Sequence, residues 1–215
     1  MPIIQSIGYN QQEIIKNILH LHSITNSIDC DPTYSKGNFY KKDIVAPPLK
    51  YDKFPCVDGV EQAESHKLPL SDNSISTIMF DPPFVMGGQN YKTNKEGSSI
   101  IAKRFTSFKD FAELKNMYSS SLKEFYRILK PDGIVIFKCQ DSVSGGKQHF
   151  SHVWVMNEAL KIGFYPKDLF ILLAKNRLTD KRIQQHARKY HSYFWVFKKE
   201  ICKVNYGGNY EEEKS

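Results

Sequence analysis

The fold of this chain is set by one stretch, Ile75-Ser76-Thr77-Ile78-Met79-Phe80-Asp81-Pro82-Pro83-Phe84. Its first six residues are mostly apolar or β-branched, which predicts a buried strand. The two prolines after Asp81 lack a backbone N–H, so strand pairing must stop there. The sequence therefore predicts a rigid turn that holds a carboxylate, a peptide carbonyl and an aromatic ring at the carboxyl end of a strand. Open α/β sheets bind their ligands at that edge.

This turn carries the groups that could activate an exocyclic amine of a nucleobase. Such an amine is a poor nucleophile because its lone pair is delocalised into the ring. A carboxylate and a carbonyl that accept its two N–H bonds would free the lone pair, and an aromatic ring would stack on a base swung out of its helix. A strand-terminating Asp-Pro turn without chemistry is the simpler alternative, and the residues upstream decide between the two.

Basic residues are concentrated in one part of the chain. The 215 residues include 30 Lys and Arg and 23 Asp and Glu, which gives a net charge of +7. The stretch 161–199 accounts for the whole excess, because its lysines and arginines are balanced only by Asp168 and Asp180. A solvated basic face would explain this block, but beside a turn that could hold a base it favours a nucleic acid as partner.

Length and composition predict one globular domain without a membrane segment. The chain has no apolar run of 18 residues and no signal-peptide pattern. Its four cysteines are scattered, which favours reduced core thiols in a cytoplasm and argues against a zinc site or any other metal site. We expect a single domain over residues 1–199, a mobile loop over 85–106 that could serve in target recognition, and a disordered tail over 200–215.

Strands and helices alternate along the chain. Helical spacing of apolar residues predicts helices that begin near Asn10, Ser107 and Ser151. Apolar or β-rich runs predict strands over 24–30, 49–52, 60–63, 75–80, 134–137, 169–174 and 193–197. This order predicts an α/β fold with a mainly parallel sheet, an antiparallel strand at one edge and helices on both faces.

With these motifs in order, the chain resembles the class I S-adenosylmethionine-dependent amino-methyltransferases that methylate adenine N6 or cytosine N4. Residues 31–37, Asp31-Pro32-Thr33-Tyr34-Ser35-Lys36-Gly37, are similar to the family's first motif, although Ser35 replaces its first glycine. Asp52 stands where the family places an acid on the ribose hydroxyls, and Glu64 where it places one near the cofactor's adenine. The resemblance implies a Rossmann-like fold and S-adenosyl-L-methionine as cofactor, contacted by Asp31, Thr33, Gly37, Asp52, Glu64 and Asp81.

The tetrapeptide 81–84 is similar to the family's fourth motif, which carries the chemistry. The resemblance implies that Asp81 and the carbonyl of Pro82 accept the amine, in a turn locked by Pro82 and Pro83. Phe84 is then the ring that stacks on the base. Residues 138–141 and 186–195 also resemble small phage and bacterial DNA methyltransferases, which implies the cytoplasm of a bacterial or phage-infected cell.

The order of the motifs leaves little of the chain for reading a target sequence. The cofactor motif precedes the catalytic motif with no recognition domain inserted between them. Direct readout of bases normally needs several side chains delivered into a groove. We therefore expect a short or degenerate target, or specificity supplied by a partner or by a homodimer.

Several basic side chains are candidates for nucleic-acid contact, mainly with phosphates, since basic clusters generally position the polymer rather than read its bases. They are Lys103, Arg104, Lys147, Arg177, Lys181, Arg182, Arg188 and Lys189. Lys147 follows two glycines in a segment that could equally be a plain surface turn. His149 and His152 have a spacing open to a metal, but no acid or cysteine lies nearby in sequence, so we expect solvent or phosphate contact.

Four functions are consistent with these residues. Methylation of adenine N6 in DNA is favoured over cytosine N4, because cytosine enzymes of the family more often have Ser in place of Asp81. Methylation of adenine N6 in RNA is a further alternative, since looped bases need little unstacking. Replacement of a glycine by Ser35 also invites a different class of function, a catalytically inactive module that binds nucleic acid.

Overall fold

The computed structural model describes residues 3–41, 43–86, 108–175 and 185–200. Within these ranges the chain forms three helices and ten strands. The helices are α1 (Gln11–His22), α2 (Phe111–Ile128) and α3 (Ser151–Ile162). The strands are β1 (Ile7–Gly8), β2 (Cys30–Asp31), β3 (Leu49–Asp52), β4 (Glu61–Gln62), β5 (Ile75–Phe80), β6 (Leu129–Cys139), β7 (Ser142–Ser144), β8 (Lys147–His149), β9 (Phe164–Leu173) and β10 (His191–Lys199).

Eight of the strands form one sheet in the order β1-β9-β10-β6-β5-β2-β3-β4, and β7 and β8 form a separate hairpin. The run from β4 to β6 is parallel throughout. β10 is antiparallel to both of its neighbours, β6 and β9. The expected mainly parallel sheet with an antiparallel element is therefore confirmed. The antiparallel strand lies inside the sheet rather than at its edge, because β9 pairs outside it and the short β1 extends β9 in parallel.

The helices begin where capping side chains satisfy their first backbone N–H groups. The side chain of Asn10 accepts from the backbone N–H of Gln12 at 3.0 Å. Asp110 accepts from the N–H of Glu113 at 3.0 Å, and the Glu113 carboxylate accepts in return from the N–H of Lys109 at 2.7 Å. The start predicted at Asn10 is confirmed. The second helix is capped by Asp110, so the start predicted at Ser107 was three residues too early.

The sheet is covered by apolar side chains on both faces, as predicted. Phe80 and Phe137 pack with α2 and α3 on one face. Their neighbours Met79 and Ile136 pack with α1 on the other. All six residues of β5 are buried, as expected for a parallel strand with helices on both sides. This buried strand ends directly at Asp81.

Some elements differ in length from their prediction. The strand expected over 24–30 is reduced to Cys30–Asp31, because the side chains of Thr25 and Ser27 form local turn hydrogen bonds. β9 is longer than predicted. The residues expected to separate α2 from the next strand form the start of β6, where the register with β5 shifts.

Gly133 lies where the register between β5 and β6 shifts, and the close packing of the backbone there leaves little room for a side chain. A Cβ on this residue would lie 3.0 Å from the backbone oxygens of both Ser76 and Lys130.

The remaining expectations concern core side chains and the membrane. Trp195 is buried and Trp154 packs partly buried against the same cluster. Cys30 and Cys139 are free, buried thiols. None of the described helices is long and apolar enough to span a bilayer. The proposed tail 200–215, apart from Glu200, and the proposed loop 85–106, apart from Val85 and Met86, lie outside the described residues.

Candidate active site

Three carboxylates and one ammonium group lie along the same edge of the sheet. Asp31 and Asp52 end β2 and β3, Asp81 follows β5, and Lys138 lies near the end of β6. These four strands are adjacent and parallel, so their carboxyl ends meet at one edge. The structure thus brings together the cofactor-motif and catalytic acids that the sequence predicted.

Thr33 joins the cofactor motif to the catalytic turn. Its backbone N–H and its hydroxyl both donate to Oδ1 of Asp31, at 2.8 and 3.1 Å. The same hydroxyl oxygen accepts from the backbone N–H of Asp81 at 2.9 Å. The two turns therefore form one hydrogen-bonded unit across β2 and β5.

Asp31 is enclosed by its own loop. The residue is only 1% exposed, and its Oδ2 accepts from the hydroxyl of Tyr40 at 2.7 Å. Burial raises the pKa of Asp31 to about 7, although hydrogen bonds from Tyr40 and Thr33 oppose the rise. The carboxylate thus shapes the loop from inside, and direct contact with a ligand requires the Tyr40 hydroxyl to give way.

In the loop 31–37, Ser35 stands where the similar motif has glycine, and its backbone has a conformation typical of glycine. Ser35 has φ +58°, in the left-handed region that glycine adopts without strain. Its N–H donates to Oδ2 of Asp52 at 2.9 Å, and Oδ1 of Asp52 accepts from the N–H of Phe54 at 2.8 Å. At Gly37, φ +65°, a Cβ would lie 2.6 Å from the Tyr34 hydroxyl oxygen. Only glycine fits there without displacing the Tyr34 ring.

Asp81 is paired with Lys138, which belongs to the stretch 138–141 but was not predicted as a site residue. Nζ of Lys138 donates to Oδ2 of Asp81 at 3.3 Å, and the two side chains are 15% and 27% exposed. Burial raises the pKa of Asp81, and the charge and hydrogen bond of Lys138 oppose that rise. A single lysine near the end of the apolar run 134–139 was the available signal, since a buried strand accepts a lysine only when it is paired.

The prolines of the turn are held from the core. Pro82 is buried and Pro83 is exposed, while Phe84 is half-buried. The carbonyl of Pro83 accepts from the hydroxyl of the fully buried Tyr118 at 3.1 Å. This contact from α2 fixes the turn from below, at the place where the sequence predicts a rigid structure.

A cavity of about 570 Å³ opens beside the catalytic turn. Phe84, Lys138 and Gln140 line it on one side, and the N-terminus of α1 with the ends of β9 and β10 closes the other. No residue of the 31–37 loop belongs to its lining. Its volume is in the usual range for small-molecule pockets, and it adjoins the predicted stacking ring.

Glu64 lies on the surface beyond β4. Its carboxylate pairs with Nζ of Lys53 at 2.9 Å, and its side chain is 44% exposed.

Three of the basic residues predicted to contact nucleic acid, Lys147, Arg188 and Lys189, lie in the part of the chain that the structure describes. The amide of Gln140 donates to the backbone oxygens of Lys189 and His191, at 3.2 and 3.0 Å. His186 contacts the oxygen of Gly146 at 3.1 Å and so ties the β7–β8 hairpin to the same segment. Exposed Lys147 and Arg188 therefore lie in connected segments beside the cavity. The other candidates lie outside the described residues: Lys103, Arg104, Arg177, Lys181 and Arg182.

The expectation for His152 was wrong. Its Nδ1 lies 2.7 Å from Oδ1 of the buried Asp141, and its ring stacks on Tyr193 with centroids 4.1 Å apart. Asp141 lies 11 residues before His152, and the β7–β8 hairpin between them, which was not predicted, brings the two side chains together. His149 packs against Phe111 instead. Among the described residues, no group of three or more His, Cys, Asp or Glu is arranged to hold a metal ion.

A family model described as DNA methylase, of the N6/N4 type, matches residues 75–213, which is more than half of the chain. No curated protein matches the chain in sequence. Solved structures with a similar fold include the cytosine-N4-specific PvuII DNA methyltransferase, at 20% identity and TM-score 0.47, over 64% of this chain and 47% of that one.

Two further structures resemble the chain. A Thermus thermophilus protein described as a DNA modification methylase is 15% identical, with TM-score 0.43, over 71% of this chain and 54% of that one. A SAM-dependent methyltransferase of Thermotoga maritima is 16% identical, with TM-score 0.45, over 80% and 82% of the two chains. The chain spans about half the length of the PvuII and Thermus proteins.

Proposed function

The chain belongs to the DNA methylase family of the N6/N4 type, and on this basis we propose that it methylates an exocyclic amine of a flipped DNA base. We take adenine N6 as the target and cytosine N4 as the near alternative. The observation that carries the proposal is the position of Asp81. Its carboxylate sits at the carboxyl edge of the sheet, hydrogen-bonded to Lys138, beside a cavity that Phe84 lines.

The cofactor is S-adenosyl-L-methionine, and the loop after β2 has features that fit it. Asp52 ends β3 with a carboxylate oriented by two backbone N–H groups, a suitable partner for a vicinal diol. Gly37 takes the positive φ that the turn of this loop requires, where a Cβ would collide with the Tyr34 ring. Asp31, Thr33 and Asp81 lie along the same edge, and we assign Glu64 to the adenine end.

Methyl transfer to the amine of a nucleobase needs hydrogen-bond acceptors rather than a strong proton acceptor. When bound, the cofactor supplies a methyl group on a positively charged sulfur, which the amine nitrogen attacks, and the sulfur keeps the electron pair of the broken bond. Asp81 and the carbonyl of Pro82 accept the two N–H bonds of the amine, which frees its lone pair. After transfer the nitrogen loses one proton, to the carboxylate or to solvent. Phe84 holds the flipped base by stacking.

We assign the surroundings of this site to DNA. Lys147, Arg188 and Lys189 would contact phosphates next to the cavity, together with Lys103, Arg104, Arg177, Lys181 and Arg182. Residues 1–199 would act as one catalytic domain with 200–215 as a tail. The loop 85–106, a homodimer or a separate partner would supply target recognition.

Product analysis tests this proposal. Purified protein is incubated with methyl-labelled cofactor and either DNA or RNA, and the digested nucleosides are separated. We expect label in DNA as N6-methyladenine, and none when Asp81 is replaced by Ala. Label in N4-methylcytosine would select the alternative amine, and label confined to RNA would overturn the assignment to DNA. Absence of label together with absence of cofactor binding would indicate an inactive binding module.

A further inference from the structure

Lys138 occupies a position where a lysine is costly. It lies in β6 between Phe137 and Cys139, which are both fully buried, and β6 is an interior strand of the sheet. Transfer of an ammonium group into such surroundings is strongly unfavourable unless the charge is paired. The residue therefore has a specific partner, and that partner is Asp81.

Contacts from two other elements fix the ammonium group of Lys138. Its Nζ lies 5.1 Å from the ring centroid of Phe39, in the loop after β2, and 5.7 Å from that of Phe194, on β10. Both rings are buried, and Phe194 is the cross-strand neighbour of Lys138. Cations are attracted to aromatic faces at such distances. The ammonium group is therefore held in one place rather than free to swing into solvent.

We propose that Lys138 is a positioning residue of the methyl-transfer site: it binds Oδ2 of Asp81 so that Oδ1 is presented to an amine entering from the adjoining cavity. The inference rests on the function proposed above. Lys138 also lines that cavity, so the group that binds the carboxylate borders the space from which the base would enter.

The surroundings of Asp81 make the charge of Lys138 important. Among the described residues, the titratable groups whose pKa is affected by the charge of Asp81 include Asp31 at the end of β2, Tyr118 on α2 and Cys139 on β6. None of these three is a cation. Loss of Lys138 therefore leaves burial to raise the pKa of Asp81 further. Because the amine needs an ionised acceptor, the acidic limb of the rate profile should move to higher pH.

Three variants test the proposal. Lys138→Met keeps an apolar side chain of similar length between the two rings but removes the charge, and Lys138→Arg keeps the charge. Lys130→Met changes an exposed lysine of the same strand and serves as the control. For each protein, kcat/KM of methyl transfer is measured against pH. We expect the acidic midpoint of the rate profile to rise by about one pH unit or more in Lys138→Met. In Lys138→Arg the midpoint should lie close to the wild-type value, and in Lys130→Met it should be unchanged.

A second measurement does not depend on turnover. The carboxyl carbon of Asp81 is titrated by NMR, with its signal assigned from an Asp81→Asn variant. An upward shift of the midpoint in Lys138→Met supports the proposal even if the wild-type protein methylates no nucleic acid, a result that would remove only the function proposed above. An unmoved midpoint in a folded Lys138→Met variant overturns the proposal, whatever happens to the rate.

Discussion

The carboxylate of Asp81 is oriented by side chains that are distant from it in sequence. The Thr33 hydroxyl accepts a hydrogen bond from the backbone N–H of Asp81, and Lys138 donates one to the Asp81 carboxylate. The Tyr118 hydroxyl donates to the carbonyl of the neighbouring Pro83. Preorganised groups of this kind act without reorganisation during the reaction. In the proposed function, the chemistry depends on Asp81 itself, while cofactor binding depends mainly on the loop after β2.

Replacement of Asp81 by Ala should separate these two properties. We expect turnover to fall by about 100-fold or more, because an acceptor of the amine is removed. The affinity for S-adenosyl-L-methionine, measured by calorimetry, should stay within a few-fold of wild type. Asp52→Ala is the matched variant, and it should weaken cofactor binding instead. Equal losses of cofactor affinity in both variants would contradict the separation.

Ser35 offers a test of backbone strain. A non-glycine residue in the left-handed region costs about 1–2 kcal/mol, part of which the greater freedom of glycine in the unfolded chain offsets. We expect Ser35→Gly to raise the free energy of unfolding by about 0.5–1 kcal/mol, measured in urea. Ser35→Ala keeps the strain and should show no such gain. Equal stability of the two variants would mean that the turn is not strained.

The secondary-structure elements near the site are joined by hydrogen bonds between the buried Asp141 and His152. Asp141 follows β6, and His152 lies in the first turn of α3. The Asp141 carboxylate accepts from both the backbone N–H and the ring nitrogen of His152, and the indole N–H of Trp195 on β10 donates to the His152 oxygen. These bonds hold α3 against the part of the sheet that borders the cavity.

The hydrogen-bonded carboxylate of Asp141 predicts an acid-sensitive contribution to stability. Burial alone would raise the pKa of Asp141, but the hydrogen bonds and charge of His152 outweigh it and lower the pKa below its usual range. The contribution is therefore present above the unfolded pKa of about 4 and disappears as pH falls through the lower folded pKa. In Asp141→Asn, we expect a loss of about 1 kcal/mol at pH ~7 that shrinks at pH ~3.

Urea unfolding at the two pH values measures that loss. Asp58→Asn changes an exposed carboxylate and should give little difference at either pH. A loss in Asp141→Asn that is the same in acid and at neutral pH would contradict an ionic origin.

The excess positive charge of the molecule should contribute to DNA binding at the edge of the sheet that carries the candidate site. Replacement of Arg188 and Lys189 by Gln should weaken DNA binding at all sequences, because phosphate contacts carry no sequence information. The slope of log K against log salt should fall by about one for each basic side chain that no longer binds a phosphate, as measured by fluorescence anisotropy. The control is a double variant, Lys123→Gln on α2 and Lys130→Gln at the start of β6. It removes the same charge from exposed positions at the opposite end of β6 from the site. A sequence-selective effect of the first pair would mean that these residues read bases.

The parts of the architecture that follow local rules could be predicted from the sequence. The apolar run 75–80, the cap at Asn10 and the order of elements gave the parallel sheet and its covering helices. The pairing of Lys138 with Asp81 could not be predicted, because only the sheet topology brings these residues together. The pairing of His152 with Asp141 depends on the β7–β8 hairpin between them, whose strands were not predicted. The interior place of β10 is likewise a property of strand pairing over many residues.

The hydroxyl of Thr33 belongs to two turns at once, since it donates to Asp31 and accepts from Asp81. A ligand that displaces one turn must therefore strain or relax the other. Cofactor and base should then bind as thermodynamically linked ligands, each changing the affinity of the other by an equal factor. One shared hydroxyl group would thus couple the two binding events without fixing which ligand binds first.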